Sequence, residues 1–165
     1  MSSSSTLNSS PALIFLHFWS GSSSTYAPLI TPLCSNHYFL ALDFRGWCSS
    51  TGPQDPDAYH IKDLSNDIFT LIPEFLSPNH PFILIGHSMG GKVAMHLSST
   101  IESLSPTNSF PRLQALILLA PAPPTPLILL EEMTKQQLTA YDRLLLSSLL
   151  MFCPLHLFLN MCSVV

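Results

Sequence analysis

The chain has 165 residues, 47% of them hydrophobic and 10% charged, with a formal net charge of -4. That length suits a single domain able to bury a core. With only 6 Lys+Arg there is no basic patch to neutralise phosphates, which argues against a nucleic-acid partner.

The opening, "MSSSSTLNSSP", lacks the basic and apolar regions of a signal peptide, and residues 1–11 read as a disordered polar lead-in. Apolar runs then alternate with more polar, helix-compatible segments. "ALIFLHF" (12–18) reads as a buried strand. "TYAPLITPLC" (25–34) reads as a short helix or turn broken by Pro28 and Pro32. "YFLALDF" (38–44) is a second strand, followed by the turn-rich "RGWCSSTGPQDPDAYH". In "IKDLSNDIFTLIPEFL" (61–76), Ile61, Leu64, Ile68, Leu71 and Ile72 fall near one helical face. "FILIGH" (82–87) is a third strand, "GKVAMHLSSTIESL" (91–104) the next helix and "LQALILLA" (113–120) a fourth strand. Continuous apolar strands are covered on both faces, and strands alternating with helices imply parallel crossovers. The pattern therefore predicts an α/β fold with a doubly wound, mostly parallel sheet.

Cys34, Cys48, Cys153 and Cys162 include no C-x-x-C pair, so no zinc site is expected. They read as reduced thiols, which places the chain in the cytoplasm. From Leu144 to Val165 there is no charged residue, and the strand–helix rhythm stops. A membrane span needs ~20 apolar residues, a length this tail has. Pro154, His156 and Asn160 interrupt it and no basic residue follows, which argues against membrane insertion.

The chemistry-bearing motif is Gly86-His87-Ser88-Met89-Gly90. It fits G-x-S-x-G, with a strand before it and a helix after it, the context a nucleophile elbow requires. The competing reading is a plain glycine-rich strand-to-helix turn. In an elbow, Gly86 and Gly90 remove side chains that would strike the neighbouring backbones, and Gly91 permits further close approach. Ser88 is then the candidate catalytic nucleophile at a helix N-terminus, and the Met89 N–H points to where a substrate oxyanion would form.

Three further segments accompany the elbow: "FLHFWSGSS" (15–23), "LDFRGWCSSTGP" (42–53) and "LILLAPAPPTP" ending at Pro126. In this order they resemble the α/β-hydrolase superfamily, over about Ala12 to Tyr141. The first is similar to the family's H-G-x-x-G oxyanion loop: His17 and Gly21 match, and Phe18 stands at the usual first Gly. The second is similar to D-x-R-G-x-G-x-S: Asp43, Arg45, Gly46 and Ser50 match, and Cys48 replaces a Gly. The resemblance implies strand order 2-1-3-4 and a Ser88 nucleophile that forms an acyl-enzyme with a small ester or related acyl substrate. It also implies a second oxyanion amide from Trp19 or Phe18, and no metal or organic cofactor. Asp43 and Arg45 are expected to tie their loop through an ion pair or backbone hydrogen bonds. His17 is expected to be structural, His96 to pack between helices, and His87 to turn away from Ser88.

The family's acid and histidine follow the serine, at the ends of later strands. Asp142 and His156 have the right order, but no recognisable core strand precedes either, so the triad acid and base are not assigned. The organisation expected is a lead-in (1–11), the N-terminal part of a hydrolase core (12–126), the start of a cap (127–143) and an apolar tail foreign to the family (144–165). The chain is thus expected to be an incomplete, weakly active or inactive serine hydrolase with "LQALILLA" as an apolar edge. The alternatives are a non-catalytic ligand-binding relative and a non-functional truncated product.

Overall fold

The computed structural model describes residues 10–34, 37–104 and 109–125, together with Glu131, Glu132 and Lys135. Residues through Ala122 belong to one unit and Pro123–Leu157 to another; the fold is that of the first. Asp142, His156 and the tail at 144–165 lie outside the described residues.

Four strands form the sheet: β1 (Ala12–Leu16), β2 (Phe39–Leu42), β3 (Pro81–His87) and β4 (Arg112–Leu119). Every pairing is parallel and the order is β2-β1-β3-β4, as the resemblance implied. The helices are α1 (Ala27–Ile30), α2 (Ile61–Phe75) and α3 (Met89–Ser103), with a short 3-10 turn at Ser23–Tyr26.

Alternation along the central strands assigns the two faces. Ile14, Leu16, Phe82 and Leu84 are fully buried with Leu64, Ile68 and Ile72 of α2 and Val93, Ala94 and Leu97 of α3. Phe15 and Ile85 point the other way, where Tyr26 is buried and Ile30 packs at the margin. Each large apolar side chain buried in this way contributes about 1.5–3 kcal/mol. The Tyr26 hydroxyl donates to the Leu16 carbonyl at 2.9 Å, pinning the 3-10 turn to β1. Burial pushes its pKa up to about 12.

Three local expectations need correction. β1 stops at Leu16, earlier than the predicted 18, because His17 and Phe18 enter a turn closed by the Gly21 N–H on the Phe18 carbonyl at 2.9 Å. Pro28 does not break a helix: it stands in the first turn of α1, where its missing N–H has no intrahelical partner to lose. Leu71 is 37% exposed. At about 100° per residue, the buried arc of α2 runs from Leu64 through Ile68 and Ile72 to Ser65, and Leu71 falls just outside it.

Among the described residues β4 has only β3 as a neighbour, and Ile117 and Leu119 are each 43% exposed, in keeping with the expected apolar edge. No helix among the described residues is long and apolar enough to cross a membrane.

Candidate active site

β1 and β3 are parallel neighbours with Leu16 opposite Gly86. Both chains therefore leave the sheet at the same carboxyl end, one into His17–Gly21 and the other into Ser88. Open α/β sheets bind ligands at such ends, between strands whose connections leave to opposite sides.

Ser88 has φ 52 and ψ -112. A non-glycine residue held there carries strain of about 1–3 kcal/mol, so its surroundings must impose the shape. Two features do so. The first is close backbone approach. A methyl at Gly86 would stand 2.6 Å from the Gly91 Cα, and one at Gly90 would stand 2.6 Å from the His17 carbonyl oxygen. Only glycine lets α3 begin this near β1 and β3. The second is a pair of backbone hydrogen bonds with the end of β4 and the turn after it. The Ser88 N–H donates to the Leu119 carbonyl at 3.0 Å, and the Ala122 N–H donates to the Ser88 carbonyl at 2.9 Å. Between them Ala120 also has a positive φ, 41. Sequence reasoning missed this clamp, because backbone groups carry no side-chain signature.

The serine itself is half-buried, with the Met89 side chain buried beneath it in the first turn of α3. The first N–H groups of a helix lack intrahelical partners and carry the positive end of its dipole. The Met89 amide, at the first position of α3, is one of these donors.

The loop after β1 is held just as tightly. His17 is buried. Its Nε2 accepts from the Phe44 N–H at 3.2 Å, which leaves the ring proton on Nδ1, within 2.7 Å of the Phe18 carbonyl. Desolvation by burial lowers the His17 pKa below 6.5, against smaller opposing effects of the Phe18 bond and the Asp43 charge. The ring is thus neutral and committed at both nitrogens, the structural role expected of it. Because the Phe18 carbonyl also receives the Gly21 N–H, the trans Phe18–Trp19 peptide is fixed, with the Trp19 N–H antiparallel to that carbonyl. The Phe18 ring meets His87 edge-on, with centroids 5.0 Å apart. The structure thus brings Phe18, Trp19, Gly86, Ser88, Met89 and Gly90 to one end of the sheet.

The other singled-out groups are occupied elsewhere. Asp43 accepts from the Ser23 N–H at 2.6 Å and the Ser49 hydroxyl at 3.0 Å, while Ser50 donates to the Asp43 carbonyl at 2.8 Å. Arg45 forms a two-pronged pair with Asp67 and donates to the Ala58 carbonyl at 2.9 Å. His96 meets the Ser65 hydroxyl at 3.1 Å across α2 and α3. Among the described residues no histidine is hydrogen-bonded to the Ser88 hydroxyl, and no cluster of metal-ligating side chains occurs.

Comparison with known proteins agrees with this geometry. The profile of the "Alpha/beta hydrolase family" matches residues 13–159, which extends into the stretch expected to be foreign to the family. The chain is 37% identical over 94 residues to the AB hydrolase superfamily protein YfhM of Bacillus subtilis, covering 54% of this chain and 31% of that one. It is 30% identical over 133 residues to the Serine hydrolase-like protein of Homo sapiens, covering 81% of this chain and 59% of that one. It thus spans between about a third and three-fifths of these relatives. Among solved structures, a thioesterase domain from the curacin biosynthetic pathway superposes with a TM-score of 0.58 at 23% identity, over 80% of this chain and 44% of that one; this likeness concerns the fold. From the sheet order, the strained serine between β3 and α3, and the profile match, the chain belongs to the alpha/beta hydrolase family.

Proposed function

We propose that this chain carries the nucleophile and oxyanion amides of a serine hydrolase acting on a small ester or related acyl compound. In the reaction, Ser88 Oγ attacks the carbonyl carbon, and the amides of Met89 and of Trp19 or Phe18 receive the charge that builds on the carbonyl oxygen. Collapse breaks the bond to the alkoxy oxygen. The alcohol leaves with the proton given up by Ser88, and the acyl group stays on the serine. Water then attacks the acyl-enzyme, releasing the acid and returning the proton to Oγ. The carrying observation is the φ 52, ψ -112 conformation of Ser88 between β3 and α3, enforced by glycine contacts and the clamp from β4.

The proton carrier is a separate matter. His17 is committed to backbone at both nitrogens, and His96 to Ser65. Among the described residues no base reaches Ser88; where a base is lacking, the oxyanion hole and binding alone sustain about 10³–10⁴ over water in a well-studied serine protease. With only the described residues contributing, turnover is expected to be slow and stoichiometric acylation the more visible event. The test is treatment with a fluorophosphonate, followed by intact-mass analysis and peptide mapping. One adduct on Ser88, abolished in Ser88→Ala, is expected. Absence of the adduct from folded protein, even after prolonged exposure to excess reagent, refutes the assignment.

A further inference from the structure

Trp19 is the most exposed large apolar side chain among the described residues, at 53%. It directly follows Phe18, whose carbonyl is held by the His17 ring and the Gly21 amide, so its backbone is fixed. Its ring stands edge-on to Trp47, with centroids 5.3 Å apart and planes at 80°. Trp47 is braced in turn by Tyr59 at 6.1 Å and Phe44 at 6.3 Å. The Trp47 indole N–H is buried with no hydrogen-bond partner among the described residues, so ring packing sets its orientation. The result is a rigid aromatic surface, half open to solvent, at the sheet end that also carries Ser88. Of the nearby charged side chains, Arg45 is paired with Asp67 and Asp43 is held by hydrogen bonds from the Ser23 N–H and the Ser49 hydroxyl, so neither offers a free counter-charge and the surface suits a neutral ligand.

An aromatic ligand gains from edge-to-face or offset contact with such rings beyond the area it buries. A saturated ring of the same carbon skeleton gains only the area. We propose that the Trp19–Trp47 pair is an aryl-recognition wall of the site, favouring esters that carry a flat aromatic ring over their saturated counterparts. The word ester rests on the reading of Ser88 as nucleophile; the preference for a flat ring does not. The expected preference is about twofold to tenfold in Kd.

The chain has 2 Trp, Trp19 and Trp47, so intrinsic tryptophan emission reports on this wall and nowhere else. Ser88→Ala protein is titrated with methyl benzoate against methyl cyclohexanecarboxylate, and with phenyl acetate against cyclohexyl acetate. Excitation on the red edge of indole absorption avoids the ligands. In at least one pair the aryl ester should bind about twofold to tenfold tighter and change the emission, and Trp19→Phe should keep that preference while Trp19→Ala loses it. Equal affinities in both pairs, no binding by either aryl ester, or a preference that survives Trp19→Ala overturns the proposal. Because this readout is binding to a serine-free variant, it is independent of fluorophosphonate labelling. A failed label with preserved aryl preference removes the nucleophile and leaves the wall.

Discussion

Replacing Gly90 by Ala separates a close backbone contact from an ordinary helix position. Gly90 lies in the first turn of α3 and has no positive φ. In an open helix, alanine there would stabilise the protein by roughly 0.5–1 kcal/mol. Here the methyl would lie 2.6 Å from the His17 carbonyl oxygen and also against the Leu16 carbonyl. Ordinary van der Waals contact begins at 3.4 Å and the Leu16 carbonyl is struck closer still than that of His17, so α3 must retreat from β1 by more than about 0.8 Å. Both struck groups are backbone, the Leu16 carbonyl already accepting from Tyr26, and overpacking of this kind costs about 1–3 kcal/mol. For a chain of this size each kcal/mol lowers Tm by about 2–4 °C. The same retreat displaces the Ser88 turn relative to the Phe18–Trp19 amides, and a 1 Å misplacement is worth about 10²-fold in rate. Urea denaturation and the rate of fluorophosphonate labelling measure the two effects separately. A Gly90→Ala protein as stable as the parent, or more so, would refute the claim that helix α3 starts in contact with the end of β1.

Three other substitutions follow from the structure. Cys48 sits at φ 47, a left-handed conformation costing a non-glycine residue roughly 1–2 kcal/mol. Cys48→Gly relieves that and gives back about 0.4–1 kcal/mol to the unfolded chain, so a net gain of up to about 1.6 kcal/mol is expected in urea denaturation, and a loss contradicts it. Tyr26→Phe deletes the hydroxyl bonded to the Leu16 carbonyl and should cost about 1 kcal/mol in the same measurement; an unchanged midpoint would deny that hydrogen bond a part in stability. His17 has a folded pKa below its unfolded value of about 6.5. Below that value the unfolded chain binds a proton that the folded one refuses, so the stability contribution is full above pH ~6.5 and declines as pH falls toward the folded pKa. Stability curves at pH 7.5 and 5.5 should show this slope, and His17→Gln should flatten it; an unchanged slope would assign the pH dependence to other groups.

Much of the fold was legible because its signals are local or periodic. The four apolar runs and the helical stripe of Leu64, Ile68 and Ile72 announced strands and helices directly. Gly86 and Gly90 flanking Ser88 could be read as close-approach sites because a strand runs into them and a helix leaves at once. The loop roles of Asp43 and Arg45 were anticipated, but their partners were not: Ser23 and Asp67 lie far off in sequence and carry no pattern of their own. Leu71 was misplaced because a stripe read by eye includes positions a few tens of degrees outside the buried arc. The Trp19–Trp47 contact and the β4 clamp were invisible, since one joins two loops and the other uses only backbone atoms.

The clamp has a consequence for synthesis. The serine's unusual conformation leans on the Leu119 carbonyl and the Ala122 amide, which emerge from the ribosome long after the motif itself. A nascent chain that has exposed only β1 to α3 holds every residue of the elbow and neither hydrogen bond that sets its angle. The conformation of Ser88 is therefore withheld until the fourth strand docks, so the turn acquires its angle as a product of folding rather than of translation.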